Sequence, residues 1–310
     1  MTIGEAAASK GISLPGSVVR AACAAFFVAF SGAAMAAGTL DKVAQTGVLT
    51  LGYQQAPPFS DEDEAKRPIG YSVDICMKVA EAVKRELKRP DIAVKFVKVS
   101  PVTRYSALLN GEIDLECANT ANTVENRKRF AFTIPTFVSI TRMMVREGSK
   151  IKTFNDLEKT TVVTIWGSNI EKVFDETNAK FTLRASNLIT NDFEGAFSVM
   201  ETDKADAFIM EDVLLYTMLA ASKNKTKYVV TKDALNIQPL SLMLRKDDPA
   251  FKKVVDTEVT RVIVQGEIYS IYQKWFESPT PPRQLNLKLP MPYVLRDSFK
   301  TPTDWVPPDR

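Results

Sequence analysis

The sequence predicts an α/β protein of two lobes, each a mostly parallel sheet flanked by helices, with two strands crossing between them. Three observations carry this. Strand and helix patterns alternate in two successive series, the second series echoes the first roughly 90 residues on, and a strand-like segment stands on either side of the second series. The length agrees, since 310 residues is roughly two domains at about 150 residues each. With 45% apolar and 25% charged residues, the chain has the composition of a core-forming protein and not of a disordered one.

An export signal comes first. Residues 1–36 place Lys10 and Arg20 ahead of an apolar run from Ala21 to Phe30 and end in small residues at Ala34-Met35-Ala36, so cleavage is expected between Ala36 and Ala37. The run falls short of the about 20 apolar residues that a membrane span needs. Arg20, three residues before Cys23, stands where a lipoprotein signal has an aliphatic residue. Removing this segment leaves 38 basic and 36 acidic residues, and no later stretch reaches 18 consecutive apolar residues.

In the first lobe, Gly47–Gly52 reads as a strand, and Asp74–Lys88 as a helix with Cys76, Val79, Val83 and Leu87 on one face before Pro90 ends it. Ile92–Val99 is a second strand, Ala107-Leu108-Leu109 a short helix and Ile113–Cys117 a third strand. In the second lobe, strands are expected at Val162–Ile165, Leu183–Ala185 and Ala207–Met210, and helices at Asn169–Asn178, Glu194–Glu201 and Asp212–Ala221. The echo is a short helix followed by Asp114 before one apolar strand, and a short helix followed by Asp206 before another. Ser139–Val145 and Leu240–Leu244 read as the crossover strands, and helices near Pro249 and Gln265 complete the first lobe. The division is therefore residues 37–143 with 243–310, and 144–242, with eight prolines marking an extended tail from Pro279 that wraps on the first lobe. Two open α/β lobes facing each other share one cleft, since ligands sit beyond the carboxyl ends of the strands.

Composition excludes several kinds of chemistry. The chain has no histidine, which removes Ser-His-Asp and Cys-His catalysis and any His-ligated zinc. No metal or other cofactor is expected. A net charge of +3 is too near balance for a protein that must neutralise many phosphates, so no nucleic-acid partner is expected either. Cys76 and Cys117 remain after cleavage. An oxidising compartment permits one disulfide, but Cys76 lies on an apolar helix stripe and Cys117 ends an apolar strand, so two buried free thiols are expected.

Recognition chemistry gathers at three places. The stretch from Glu116 to Arg127 collects Asn119, Thr120 and Asn122 before a helix, neutral donors and acceptors followed by the bidentate guanidinium of Arg127. Helix capping by Thr123 and a solvated basic face of Arg127, Lys128 and Arg129 form the competing reading. Ser168 and Asn169 follow Trp166-Gly167 at a strand-to-helix turn, where free N–H groups would favour a carboxylate or simply be capped. Glu211 and Asp212 close the echo strand and would hold an ammonium group, or serve as first-turn helix acids.

Over nearly its whole length after the signal, the chain resembles the periplasmic substrate-binding proteins of polar amino-acid ABC transporters, most of all their glutamate/aspartate-binding branch. The resemblance rests on Gly38–Ala44, on Pro58-Phe59-Ser60 with Gly70-Tyr71-Ser72-Val73-Asp74, and on Leu108–Cys117. It continues through Ala131-Phe132-Thr133, Ala207–Asp212, Leu244–Pro249 and Lys274–Pro279. It implies the two-lobed periplasmic binding protein fold, type II, closing on an amino acid. It also implies an Arg that clamps the α-carboxylate, hydroxyl groups seven and five residues before it, and an acid on the second lobe for the α-ammonium.

Two registers are open for the clamp. One places Asn126 there, with Asn119 and Ala121 assisting; the other places Arg127 there, with Thr120 and Asn122 assisting. Arg127 is preferred, since hydrogen bonds to charge contribute about 1.5 to 3 kcal/mol and amide ones less. Glu211 takes the place of the acid, and Arg104 matches an Arg that the branch turns toward its ligand. Other positions depart from the branch: Gln54 replaces a side-chain-binding Arg, Pro101 a ligand-contacting Ser, Phe193 a ligand-contacting His, and Leu242 the disulfide partner of Cys117. The ligand pocket has lost charge, so an amide, aliphatic or aromatic amino acid is as well suited as glutamate or aspartate.

The expected function is therefore extracytoplasmic binding of an amino acid by hinge closure and its delivery to a membrane ABC permease, by a monomer in the periplasm and not by an enzyme. Arg104, Asn119, Thr120, Asn122 and Arg127 would load the ligand, and Ser168, Asn169 and Glu211 would latch it. The alternatives are a cleft enzyme of the same fold, such as a cyclohexadienyl/arogenate dehydratase with Glu211 as general acid, and a ligand-sensing module for a receptor.

Overall fold

The computed structural model of the protein describes residues 38–281 and 284–304, and the expected signal segment and its cleavage point lie outside the described residues. The chain runs through α1 (Thr39–Thr46), β1 (Val48–Tyr53), the two-residue arms β2 (Asp61–Glu62) and β3 (Pro68–Ile69), α2 (Tyr71–Glu86) and β4 (Ala93–Lys98). It continues with α3 (Thr103–Leu109), β5 (Leu115–Ala121), α4 (Val124–Arg129) and β6 (Phe130–Phe132). The long strand β7 (Phe137–Arg146) leads into β8 (Thr161–Ile165), α5 (Asn169–Lys180), β9 (Ser186–Thr190), α6 (Phe193–Glu201), β10 (Ala207–Glu211), α7 (Asp212–Ala221) and β11 (Tyr228–Val230). A second long strand, β12 (Ile237–Arg245), returns, and α8 (Pro249–Val264), α9 (Glu267–Tyr272) and α10 (Tyr293–Ser298) finish the chain.

The strands lie in the order β4-β1-β5-β12-β7-β10-β8-β9, with β6 beside β12 and β11 beside β7. Pairing is parallel among β4, β1 and β5 and again among β10, β8 and β9, as connections through helices require, while every pairing made by β7 or β12 is antiparallel. These two strands belong to both halves. β7 pairs with β12 from Phe137 to Ile140 and with β10 from Thr141 to Val145, so it changes partner at Ile140-Thr141. β12 pairs with β7 up to Leu240 and with β5 from Leu240 to Leu244. The type II architecture follows, with two mostly parallel sheets covered by helices and bridged by two crossover strands.

The Asp echo is a device for fastening parallel strands. Asp114 N–H donates to the Thr50 carbonyl at 2.7 Å, and its carboxylate accepts from Thr50 N–H at 3.0 Å. Asp206 repeats both bonds on Thr161 of β8, at 2.7 and 2.8 Å. A buried carboxylate needs such donors, and Asp114, fully buried, also takes Lys42 Nζ at 2.9 Å and Arg245 at 3.3 Å.

An aromatic cluster anchors the start of β7 to the first half. Phe137 stacks on Tyr272 and Phe276 and meets Phe59 edge-on with ring centroids 4.9 Å apart, while the Tyr71 hydroxyl donates to the Thr136 carbonyl at 2.7 Å. In the tail, Met291, Leu295 and Phe299 are buried, and Phe299 meets Tyr269 of α9 edge-on. Among the described residues no helix is long and apolar enough to cross a membrane.

Two expectations need correction. The strand expected at Leu183–Ala185 is a turn, with Thr182 and Arg184 at φ of 53° and 55°, and the strand itself is β9 at Ser186–Thr190. β9 is a half-exposed edge, so its polar residues hid it while the buried Leu183 and Ala185 of the turn imitated it. The two thiols are not free: Cys76 and Cys117 form a disulfide, with Cα atoms 6.1 Å apart. The buried stripe of α2 lies across β5, and that packing, not the surroundings of either residue along the chain, sets the sulfurs face to face. Closing a loop of 41 residues removes unfolded-state entropy worth about 4 kcal/mol. The double variant Cys76→Ala, Cys117→Ala is expected to lose about that much in urea unfolding, and a loss under about 1 kcal/mol would show that the bond constrains little.

Candidate ligand-binding site

The carboxyl ends of β1, β5, β8 and β10 supply the candidate residues: Gln54 just after β1, Asn119 to Asn122 on and after β5, Ser168 and Asn169 after β8, and Glu211 at the end of β10. The two halves meet here. Gly167, at φ 73°, lies so close to the other half that a Cβ on it would stand 3.0 Å from Val102 Cγ2 and 3.2 Å from the Pro101 carbonyl oxygen. Lys172 of α5 likewise acts on Glu125 of α4 across the same seam.

Arg104 and Glu211 are brought together, one from each half. Arg104 is 6% exposed and Glu211 5%, and each acts electrostatically on the other. Burial opposes the Arg104 charge, yet Tyr105, Glu116 and Glu211 together hold its proton more tightly than usual. Its guanidinium donates to the Tyr105 hydroxyl at 2.8 Å and lies over that ring, while Nε has no partner. Burial pushes the Glu211 carboxyl up to about 7, against a backbone hydrogen bond and the attraction of Arg104, and its Oε2 has no partner. A buried polar atom left unpaired costs about 1–3 kcal/mol, so this seam holds a donor and an acceptor that the protein itself does not satisfy.

The polar stretch of β5 is distributed among several tasks. Thr120 donates its hydroxyl to Glu116 Oε2 at 2.9 Å. Residues four apart on a strand do not ordinarily meet. Here β5 bulges against β12: Thr120 lies opposite Ser241 and Glu116 opposite Met243, so four steps of one strand match two of the other. Asn122 donates to Ser241 Oγ at 3.2 Å and keeps an unpartnered, buried Oδ1. Asn119 is buried beside them. Ser139 and Gln238, opposite each other on the crossover strands, bury further polar atoms without partners.

The two clamp registers differ in the structure. Asn126 commits its amide nitrogen to the Ala121 carbonyl at 2.9 Å, whereas Arg127 lies half-buried one residue on in α4. Thr123 does cap α4, accepting from Asn126 N–H at 3.1 Å. Ser168 caps α5 in the same way, accepting from Glu171 N–H at 3.3 Å, and Asn169 is half-buried as the first residue of that helix.

Two residues outside the expected set belong with the site. Glu116 is fully buried and takes the Gln54 amide at 2.8 Å on Oε1, so a carboxyl, an amide, a hydroxyl and the Arg104 guanidinium form one group. Burial raises the Glu116 carboxyl, against the pull of Arg104 and of its two hydrogen bonds. The signal for it was present in the sequence, since an acid inside an apolar strand demands buried partners. Phe193 lines a separate groove of about 370 Å³ between Pro57 and Asp61 on one side and Phe197, Leu214 and Met218 on the other, and none of Arg104, Glu116 and Glu211 lines it. Among the described residues no three Cys, Asp or Glu side chains gather as a metal site.

Comparison with known proteins identifies the family and the fold. The L-glutamate/L-aspartate-binding protein of Pseudomonas aeruginosa is 39% identical over 269 residues, covering 86% of this chain and 89% of that protein. The glutamate/aspartate import solute-binding protein of Escherichia coli is 35% identical over 274 residues, covering 88% and 91%. The cysteine-binding protein of Campylobacter jejuni superposes with a TM-score of 0.66 over 76% of this chain and 92% of that one, at 22% identity, a likeness of fold alone. The family model of bacterial extracellular solute-binding proteins, family 3, matches residues 49–278, and this chain belongs to that family.

Proposed function

We propose that this protein binds an amino acid between its two halves in the periplasm and delivers it to the permease of an ABC importer. The observation that carries the reading is the pair formed by Arg104 and Glu211, buried on opposite sides of one seam, each with a polar atom unsatisfied. A zwitterion offers a carboxylate and an ammonium at once. Ligand contacts made to both halves exist only when the halves are together, so the ligand stabilises the closed state by the contacts that the open state lacks.

The first half, 37–143 with 243–310, takes the ligand through Arg104 and Arg127, with Asn119, Thr120 and Asn122 around the carboxylate. The second, 144–242, closes on it with Ser168, Asn169 and Glu211. Ile140-Thr141 and the neighbourhood of Leu240, where the crossover strands change partners, act as the hinge. Micromolar affinity requires about 8 kcal/mol, within reach of a few charged hydrogen bonds and one buried side chain. The two relatives of 35–39% identity carry names of binding and import proteins, which supports the same role here.

Calorimetry of the purified protein against the twenty amino acids is expected to show saturable binding of at least one. Arg104→Met is expected to weaken it about 10- to 100-fold, and heat from none of the twenty would end the reading.

Glu211 gives the site a pH dependence with a definite sign. Its folded value of about 7 lies above the ordinary 4.5, so between these the folded, ligand-free protein holds a proton that the unfolded chain has lost. Stability from this group is complete below 4.5 and lost as pH rises through about 7. Without ligand, Glu211→Gln is expected to gain in melting temperature over the unsubstituted protein from pH 5 to pH 8. An ammonium ligand needs the ionised carboxylate, so binding at pH 6 is expected to release close to one proton, measured by calorimetry in buffers of different ionisation heat. Proton uptake, or none, would remove Glu211 from the ammonium's place.

A further inference from the structure

The strand order ends on β4 at one side and on β9 at the other. An open strand edge is a template for pairing with another chain, and proteins ordinarily blunt it with charge, proline or a bulge. β4 is blunted in this way, since Lys95 and Lys98 stand exposed on it. β9 is not. From Ala185 to Asn191 the chain carries neither a charged residue nor a proline, and Leu188 and Ile189 are 38% and 50% exposed. Charge stands only at the two ends, on Arg184 before the strand and Asp192 after it, both exposed. Arg184 makes no ion pair among the described residues, and Asp192 uses Oδ1 to cap α6, accepting from Gly195 N–H at 2.7 Å.

The direction of the backbone decides which residues of this edge can pair. Ser186 N–H donates to the Thr160 carbonyl at 2.9 Å, and the Thr190 carbonyl accepts from Trp166 N–H at 2.8 Å. Ser186, Leu188 and Thr190 therefore turn their backbone groups toward β8, and the alternation leaves Asn187 and Ile189 with theirs directed outward. Ala185, the next outward residue, is already satisfied: the Asn178 amide accepts from its N–H at 3.1 Å and donates to its carbonyl at 2.9 Å. The open template is thus Asn187 and Ile189 alone.

We propose that β9 pairs with β9 of a second copy of this chain, antiparallel about Leu188, in a twofold dimer whose sheet continues from one second half into the other. In that register Asn187 lies opposite the partner's Ile189 and Ile189 opposite the partner's Asn187, so both outward residues exchange hydrogen bonds, and the two Leu188 side chains meet on the axis. The same register sets Arg184 opposite the partner's Asp192 at each end, so the charges flanking the strand complement their own copies. A slip by two residues keeps only one of the hydrogen-bonded pairs and separates Arg184 from Asp192. The contact uses the same patch on both copies and closes on itself. It takes the place of the monomer expected from the sequence and does not rest on the amino-acid reading of the site.

Five residues a side make a small interface, so the test is sedimentation equilibrium of the purified protein from about 10 µM to about 1 mM, where a reversible monomer–dimer equilibrium is expected. Arg184→Asp and Asp192→Arg each set like charges against one another at both ends of the pair, and each is expected to weaken it at least about tenfold. An equal mixture of the two variants puts an acid opposite every arginine again, and it is expected to recover the dimer, which loss of fold cannot produce. If Asp192→Arg, which also removes the α6 cap, fails to fold by circular dichroism, Leu188→Lys, which sets two like charges together on the axis, is expected to abolish the dimer. A monomer at every concentration, as an edge reserved for a different protein would give, would overturn the pairing. So would a dimer indifferent to these substitutions, or a mixture of folded variants that stays monomeric.

Discussion

A guanidinium and a carboxyl, both nearly excluded from water, face one another from opposite halves of this molecule, and each is left with one polar atom unpaired. Desolvating ionisable groups costs several kcal/mol unless partners repay it, so a protein does not ordinarily bury them incompletely satisfied. Arg104 and Glu211 partly compensate each other, and Glu116 adds a second negative group on the first half. What they leave unpaired is one donor, the Arg104 Nε–H, and one acceptor, the Glu211 Oε2.

The rest of the fold serves to bring those groups to one place. Two parallel sheets expose the carboxyl ends of their strands toward each other because β7 and β12 run through both, exchanging partners within a few residues of Ser139 and Gln238. The strands are fastened locally, by Asp114 on Thr50 in one half and Asp206 on Thr161 in the other. Several residues that carry the family resemblance turn out to belong to this scaffold. Asp74 accepts from Lys274 and from the Trp275 indole, both at 2.7 Å; Arg245 pairs with Asp114; and Asp248 caps α8 while accepting from Thr39 N–H at 2.6 Å. Such signatures identify the architecture more securely than they identify the ligand.

The polar group around Glu116 follows a different logic. A bulge of β5 against β12 turns Glu116 and Thr120 onto one another, and Gln54 is drawn into the same group. In the resemblance Gln54 stands for an arginine; here an amide occupies that place and is oriented by an acid the fold buries completely.

The sequence by itself determined the two-lobed architecture, because hydrophobic periodicity is local: the strands, helices and crossover segments were legible within a few residues, and the Asp114–Asp206 echo marked the repeated strand fastening. It also singled out Arg104 and Glu211, which the fold brings within electrostatic reach of each other. It misplaced β9, an edge strand whose polarity concealed it, and it read Cys76 and Cys117 as free because each lies on its own apolar stretch. Only the tertiary structure joined those sulfurs, by laying α2 across β5, and only it assembled Gln54, Glu116 and Thr120, since a bulge and a contact between strands 62 residues apart leave no periodic trace. Patterns along a chain record which face of an element is buried; which buried polar atoms find partners is decided when elements distant in sequence pack together.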